Sequence, residues 1–152
     1  MNALNLPYFP LKIKKVEEKY FVWDILRKKY IQITPEEWVR QHFVHFLIER
    51  KGYPKGLLAN EVQVLLNGQK KRCDTILYSK TQQPFMIIEY KAPDVPITQK
   101  VFDQITRYNI ALKVRYLIVS NGIEHFCCEV NYLQHSYRFL PEIPMYSSLM
   151  SE

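Results

Sequence analysis

Apolar and polar positions in the first third of the chain predict two strands followed by a helix. Residues 20–24 and 30–33 are rich in aromatic and β-branched side chains, and the basic connection 26–29 separates them. This arrangement predicts an N-terminal β-hairpin. Apolar residues then recur at helical spacing between Thr34 and Gly52. A helix should begin after Thr34, whose hydroxyl can cap it, and end near Gly52.

Three strand-like runs occupy the middle of the chain. They lie at residues 61–66, 72–78 and 85–91, and the dipeptide Asn67-Gly68 between the first two is typical of a tight hairpin turn. Short connections between consecutive strands favour antiparallel pairing. We therefore predict an antiparallel meander.

A second helix and two further strands are predicted after the meander. Residues 98–113 carry an amphipathic helical pattern, 115–120 form a compact apolar run, and 125–130 alternate between apolar and polar. A helix between two strands of one sheet implies a parallel pair joined by a right-handed crossover. The tail, which contains Pro141 and Pro144, is predicted to be irregular.

Length and composition favour one globular domain of the α/β class. The chain has 152 residues, of which 47% are hydrophobic and 24% charged, with four glycines. This composition excludes disordered and low-complexity sequence. A domain of this size can bury enough apolar surface to fold without disulfides. We expect a single domain over residues 1–152, with a core at about 34–130 and the hairpin at about 20–33.

The charge of the chain favours anionic partners. The formal net charge is +6, which suits nucleic acid without proving it. Basic residues cluster within residues 1–30 and in the run Lys70-Lys71-Arg72. Charge runs are usually solvated surface, so these become candidate phosphate contacts only if a catalytic site lies nearby.

Cysteine usage and the lack of long apolar runs bear on the cellular compartment. The three cysteines have no C-x-x-C spacing, and no apolar run is long enough to span a membrane. The opening residues also lack the pattern of an export signal. We expect a soluble, unexported protein in the reducing cytoplasm.

The last run of the predicted meander carries the residues with the clearest chemical potential. Side chains alternate along a strand, so Glu89 and Lys91 lie on one side of it. If Tyr78 pairs with Phe85, Asp74 lies directly across from Glu89. Two carboxylates held so close repel each other unless a cation or a shared proton intervenes. Mg²⁺, which prefers oxygen ligands, is the simplest answer, and Lys91 could then act on the reacting phosphate.

An ordinary surface ion pair between Glu89 and Lys91, with Asp74 solvated, is the alternative for any isolated E-x-K triplet. The run that leads into Glu89 is apolar on both sides, and an unpaired carboxylate beside a covered strand is costly to desolvate. Together with the preceding strand and the following helix, this context favours a site.

Several segments resemble the nuclease domain at the N-terminus of the type I restriction enzyme R subunit. RCD at 72–74 and IIEYKAP at 87–93 resemble its catalytic strands, TPEEWVRQ at 34–41 its opening helix, and DQITRYN at 103–109 the helix that follows. The resemblance covers roughly residues 20–130. It implies the restriction-endonuclease-like αβββαβ core of the PD-(D/E)xK superfamily, and Mg²⁺-dependent endonuclease activity on DNA with Mn²⁺ as a substitute.

The resemblance also implies roles for individual residues. Asp74 and Glu89 would be metal ligands, Lys91 the catalytic lysine, and the backbone carbonyl of Tyr90 a further ligand. Glu37 matches the acidic residue on the first helix of the superfamily. A helix-capping role explains Glu37 equally well.

A glutamine and a tyrosine on the second predicted helix match a further element of the family. Gln104 and Tyr108 fit its Q-x₃-Y pattern, and their spacing puts both on one helix face. Together they could contact DNA or brace the site. Alternatively, Tyr108 packs in the helix core while Gln104 is solvated.

Two departures from the family limit what the resemblance implies. Cys73 replaces the proline of the PD pair, and the G-x-x-x-x-G-K-[ST] motif of an ATP-driven motor is absent. We therefore expect a stand-alone or truncated relative that acts on DNA beside a separate translocase or restriction-modification subunit. The alternative is a catalytically silent nuclease-fold module that binds DNA or such a partner.

Overall fold

A small antiparallel sheet, a helix and a larger sheet with a crossover helix follow one another along the chain. The computed structural model describes residues 3–66, 68–110 and 112–151, except for the side chains of Leu66, Tyr108 and Ile110. In chain order the elements are β1 (Ile13–Val16), β2 (Lys19–Asp24), β3 (Lys29–Gln32), α1 (Pro35–Lys51), a 3₁₀ turn (Lys55–Leu57), β4 (Leu58–Leu66), β5 (Gln69–Tyr78), β6 (Pro84–Tyr90), α2 (Gln99–Ile110), β7 (Tyr116–Ser120), β8 (His125–Asn131), β9 (Ser136–Phe139) and α3 (Tyr146–Met150).

The predicted N-terminal hairpin is confirmed as β2 and β3, and β1 adds a third strand to it. Strand β1 was not predicted because its four exposed residues, IKKV, include two lysines and show no buried face. Short, charged strands of this kind are typical of sheet edges. Along β2, Val22 and Asp24 are buried, whereas Phe21 and Trp23 point to the opposite face and are half-buried.

Helix α1 has the predicted limits because both of its ends are capped. Thr34 Oγ1 accepts a hydrogen bond from the backbone N–H of Glu37 at 3.1 Å. Pro35 occupies the first turn, where its missing N–H costs no hydrogen bond. Gly52 ends the helix at φ 74°, in the left-handed region that glycine adopts without strain.

The larger sheet has the strand order β4-β5-β6-β7-β8-β9. Among its described strands, β6 and β7 pair in parallel and the other neighbours pair antiparallel. Helix α2 lies between β6 and β7 in the sequence. The predicted meander and the parallel pair are therefore confirmed, whereas the turn predicted at Asn67-Gly68 falls partly outside the described residues because it includes Asn67.

The predicted irregular tail is confirmed around Pro141 and Pro144, but the prediction is wrong for the residues on either side of them. Strand β9 pairs with β8, and α3 follows it. Ile143 and Leu149 are buried in the core that α1 covers, and the Tyr53 hydroxyl donates to the Pro144 carbonyl at 3.0 Å. Elements of four or five residues are too short to show a hydrophobic period, so the prolines dominated the sequence pattern.

Strand β6 is buried on both faces. Met86 and Ile88 share a hydrophobic cluster with Phe43 of α1, whereas Ile87 shares a second cluster with Phe102 of α2. The order α1-β4-β5-β6-α2-β7 is the predicted αβββαβ core, in a mixed sheet flanked by helices. No helix in the described part of the chain is long and apolar enough to span a bilayer. Because both faces of β6 are covered, an acidic residue at its end meets a largely apolar environment.

Candidate active site

Strands β5 and β6 bring Asp74 beside Glu89. Thr75 pairs with Ile88, and Asp74 and Glu89 are the next residues along the two strands. Their side chains are within hydrogen-bonding reach of each other, so the two carboxyl groups lie close together as predicted. The backbone N–H of Tyr90 donates to Asp74 Oδ2 at 2.9 Å. This hydrogen bond fixes the Asp74 carboxylate at the end of β6.

One part of the predicted register is wrong. Tyr78 pairs with Pro84 rather than Phe85, because the pairing shifts by one residue between Leu77 and Tyr78. Such an irregularity bends a strand locally and adds one residue on one side of the pair. It lies at the opposite end of the strand pair from Asp74, so it leaves the two carboxyl groups facing each other.

The environment of the Glu89 carboxyl disfavours its charge. Burial, and after it the negative charge of Asp74, raises the pKa of Glu89 to about 9. The Asn109 carboxamide acts in the opposite direction but does not offset burial. Glu89 Oε1 is buried and has no hydrogen-bond partner among the described residues. An unsatisfied oxygen beside a second carboxylate is an arrangement that a cation would relieve.

Both carboxyl groups line a cleft of about 440 Å³ between the end of β6 and helix α2. Lys91, the first residue after β6, lines the same cleft. Its backbone N–H donates to the Ser120 carbonyl of β7 at 2.9 Å, which fixes the point where the chain leaves the sheet. The structure therefore brings together Asp74, Glu89 and Lys91, the three residues predicted to carry the chemistry.

Helix α2 supplies the opposite wall of the cleft. Gln104 lines it, as does Asn109, which the sequence did not single out. Asn109 is buried, its Nδ2 donates to the Ile105 carbonyl at 3.0 Å, and its Oδ1 has no partner among the described residues. The side chain of Tyr108 lies outside the described residues, so the predicted pairing with Gln104 stays a prediction.

The predicted basic run lies on β5 and leads up to Asp74. Lys70 and Arg72 are exposed, and Arg72 Nε lies 3.5 Å from Glu61 Oε2. Burial lowers the pKa of Lys71, and nearby negative charge that includes the Glu89 carboxyl opposes this effect. The run therefore extends positive charge from the cleft along one strand.

Glu37, expected from the resemblance as a metal ligand, is engaged elsewhere. Both of its carboxylate oxygens accept hydrogen bonds from Arg27 at 2.9 Å, and Arg40 and Gln41 donate to them as well. Burial opposes the charge, but these donors hold the pKa of Glu37 below its ordinary value. A cation would have to displace two guanidinium groups to reach it. Glu37 lines a separate pocket of about 220 Å³ that it shares with Asp74 but not with Glu89 or Lys91, so its role as a metal ligand stays a prediction.

Arg40 connects this buried network to the site. Its Nη1 donates to the backbone carbonyl of Asp74 at 3.0 Å and pairs with Glu61 at 2.9 Å. Burial disfavours the charge, but hydrogen bonds and negative charge from Glu37 and Glu61 raise the pKa of Arg40. The only sequence signal for this role is a charged residue on the buried face of α1, three positions before Phe43.

A second series of hydrogen bonds reaches the Tyr90 side chain. The Tyr90 hydroxyl donates to Thr75 Oγ1 at 2.9 Å, the Thr75 hydroxyl donates to Asn60 Oδ1 at 2.7 Å, and Asn60 Nδ2 donates to Asp24 Oδ2 at 3.0 Å. Successive partners lie 15 to 36 residues apart, so no local pattern could have revealed them. The series ties the N-terminal sheet to the strand that carries Glu89.

Comparison with known proteins decides the family. Residues 35–144 match the family model described as type I restriction enzyme R protein N terminus (HSDR_N). The chain belongs to this family. A solved fragment described as an HsdR subunit of a type I restriction enzyme from Vibrio vulnificus YJ016 matches this R protein N-terminal domain with a TM-score of 0.54 and 20% identity.

The match to the solved fragment has a defined extent. It covers 78% of this R protein N-terminal domain and 25% of the fragment chain, so the domain spans about a quarter of that relative's length. At this identity the likeness shows the fold alone. No curated protein matches the chain.

The donor set of this R protein N-terminal domain fits Mg²⁺. Two carboxyl groups share the cleft, and one of them has an orphaned oxygen. The described residues contain no cluster of three or more His, Cys, Asp or Glu side chains that could hold a metal. An ion there would take its remaining ligands from backbone carbonyl, water and substrate phosphate oxygens, as Mg²⁺ usually does.

Without a bound cation, the free energy of unfolding of this R protein N-terminal domain should fall as the pH rises from about 7 to about 8. The folded state keeps a proton on Glu89 up to about pH 9, whereas the unfolded chain releases it near 4.5. The unfolded state therefore binds fewer protons throughout this window, and each pH unit costs on the order of 1 kcal/mol. Urea denaturation in EDTA measures the slope.

Glu89→Gln provides the control for this pH dependence. The variant cannot titrate at this position, so its stability should change less between the two pH values than that of the wild-type protein. Burial lowers the pKa of His42, His45 and His125, and both proteins contain these histidines, so their contribution to the two slopes is the same. Equal slopes in the two proteins would show that Glu89 is already ionised at pH 7.

Proposed function

We propose that this chain is a Mg²⁺-dependent endonuclease domain that hydrolyses DNA phosphodiester bonds within a type I restriction system. The observation that carries the proposal is the close, buried pair of Asp74 and Glu89, in which Glu89 Oε1 has no partner among the described residues. Lys91 lines the same cleft. Family membership supports the setting, because the relatives are named as R proteins of restriction enzymes.

The cleft residues would have different roles in phosphodiester hydrolysis. Asp74 and Glu89 would hold the Mg²⁺ ion, or Mn²⁺ in its place, with the Tyr90 backbone carbonyl as a further ligand. When bound, the ion supplies a more acidic water and neutralises charge on the phosphate. Lys91 orients the attacking water or stabilises negative charge on the phosphate oxygens. Gln104 can donate its amide protons to a DNA phosphate at the opposite wall.

Charge beside the cleft suits a DNA substrate. Lys70, Lys71 and Arg72 extend along β5 up to Asp74, where they would neutralise phosphates of the bound strand. A domain of this family would act on DNA in the cytoplasm. It would do so beside a separate translocase or restriction-modification subunit that brings the substrate to it.

Plasmid nicking tests the proposal directly. The purified chain is incubated with supercoiled plasmid and Mg²⁺, Mn²⁺, Ca²⁺ or EDTA, and the topological forms are separated on agarose. Nicked or linear products should form with Mg²⁺ and Mn²⁺ and should be absent with EDTA. Ca²⁺ should support DNA binding with little cleavage, because it is larger and holds its ligands in a looser geometry.

Two outcomes would contradict the assignment. Cleavage that persists in EDTA would exclude a metal-dependent mechanism. DNA retardation without cleavage under every metal would instead support the alternative, in which the nuclease fold serves only to bind DNA or a partner subunit.

A further inference from the structure

Aromatic rings line the outer face of the N-terminal sheet. Trp23 and Tyr30 are paired across β2 and β3, with ring centroids 5.2 Å apart. Phe21 lies two residues before Trp23 and therefore points to the same side. All three are half-buried, whereas Val22 and Asp24 on the other side of β2 are fully buried. The rings are therefore partly accessible to solvent, whereas the other face of the sheet packs against the rest of the domain.

Lysine side chains lie over these rings. Lys12 Nζ is 5.5 Å from the Trp23 ring centroid, and Lys14 Nζ is 3.9 Å from the Tyr30 ring centroid. Lys19 extends the exposed basic surface along β2. Strand alternation and pairing place no acidic residue of the three strands on this face, which comprises Lys14, Val16, Lys19, Phe21, Trp23, Tyr30 and Gln32. The face therefore combines partly exposed aromatic rings with positive charge, the two features that bind single-stranded nucleic acid.

We propose that this outer face binds single-stranded DNA, with unpaired bases stacked on Trp23 and Tyr30 and the adjacent phosphates held by Lys12 and Lys14. Stacking on a side chain needs a base whose face is free, which a duplex interior does not offer. In the free protein the lysines occupy the ring faces. On binding, bases replace them there and the ammonium groups turn to the phosphates.

A groove of about 380 Å³ lies at one end of the N-terminal sheet, and Glu18, Lys19, Gln32, Trp38 and Pro93 are among its lining residues. Pro93 lies two residues after Lys91, which lines the cleft, so the groove reaches the segment that leaves β6. The inference extends the proposed nuclease function by giving the substrate strand a second contact, one that does not depend on the carboxyl groups.

Fluorescence anisotropy with a labelled oligothymidylate, in EDTA, measures this binding without cleavage. Trp23→Ala should weaken it about five- to a hundredfold, the range expected for loss of one base-stacking contact. Tyr30→Leu, which keeps apolar bulk, should weaken it in the same direction if Trp23→Ala fails to fold. In a plot of the logarithm of the binding constant against the logarithm of the salt concentration, the double variant Lys12→Gln, Lys14→Gln should have a slope shallower by about 1.4. Two phosphate contacts are lost, each of which contributes about 0.7 to the slope for single-stranded DNA.

The matched control is Lys80→Gln with Lys100→Gln, which removes the same charge from exposed positions outside this sheet. It should leave the salt dependence close to that of the wild type. The proposal is overturned if the ring variants bind the oligothymidylate as the wild type does, or if they weaken binding of a duplex of equal length as much as binding of the single strand. Asp74→Asn should retain the binding, so failure of this surface and failure of the nuclease assignment give different results.

Discussion

Replacing Asp74 with asparagine should lower the rate of plasmid nicking about a thousandfold, because the amide cannot share a divalent cation with Glu89. The substitution keeps the size of the side chain and an oxygen that can accept the Tyr90 N–H, which now bonds to Asp74 Oδ2 at 2.9 Å. The local fold should therefore survive. Single-turnover nicking with Mg²⁺ in excess measures the change in the cleavage step.

Asp94→Asn is the matched control for this experiment. Asp94 is exposed, lies three residues after Lys91 and does not line the cleft. The control removes the same charge and should nick the plasmid at close to the wild-type rate. If Asp74→Asn nicked DNA as fast as the wild-type protein, hydrolysis would have to take place elsewhere in the molecule.

Replacing Arg40 with methionine should lower the free energy of unfolding by about 3 kcal/mol, because it removes one of the two guanidinium groups that neutralise the buried Glu37 carboxylate. Arg40 is 7% exposed and donates to both oxygens of Glu37. Arg27 would still reach Glu37 but lies at the more exposed edge of the network. Urea denaturation at neutral pH measures the loss.

Arg138→Met is the control for this loss of stability. Arg138 also pairs with a carboxylate, Glu129, but its side chain is 72% exposed. Its replacement should cost less than about 1 kcal/mol, as for other exposed ion pairs. Combining Arg40→Met with Glu37→Gln should recover part of the loss, since the uncompensated charge is then gone. Equal losses for Arg40→Met and Arg138→Met would contradict a buried network.

The proximity of Asp74 and Glu89 could be predicted from the sequence because both residues follow the regular alternation of side chains along a strand. The run that ends at Lys91 is apolar on both faces until Glu89, which identified a covered strand with charge at one end. Counting back across the connection between the two strands then placed Asp74 opposite Glu89. The same count failed at Tyr78, where a shift in pairing cannot be read from composition, yet the error did not reach the carboxyl groups.

The surroundings of the cleft could not be predicted in the same way. The Arg27–Glu37 and Arg40–Asp74 contacts join residues 10 and 34 positions apart, and no hydrophobic period connects such partners. Asn109 faces the cleft from α2 only because the crossover helix lies against the end of β6. Tertiary packing decides contacts of this kind, so they follow from the fold rather than from any local motif.

The burial of β6 between two separate hydrophobic clusters has a consequence for how the domain tolerates change. A substitution beneath α1 and one beneath α2 would both act on the backbone of β6, whose end carries Glu89, one of the proposed metal ligands. Volume added on one side has to be absorbed on the other. Substitutions in either cluster should therefore shift Glu89 relative to Asp74 before they unfold the domain.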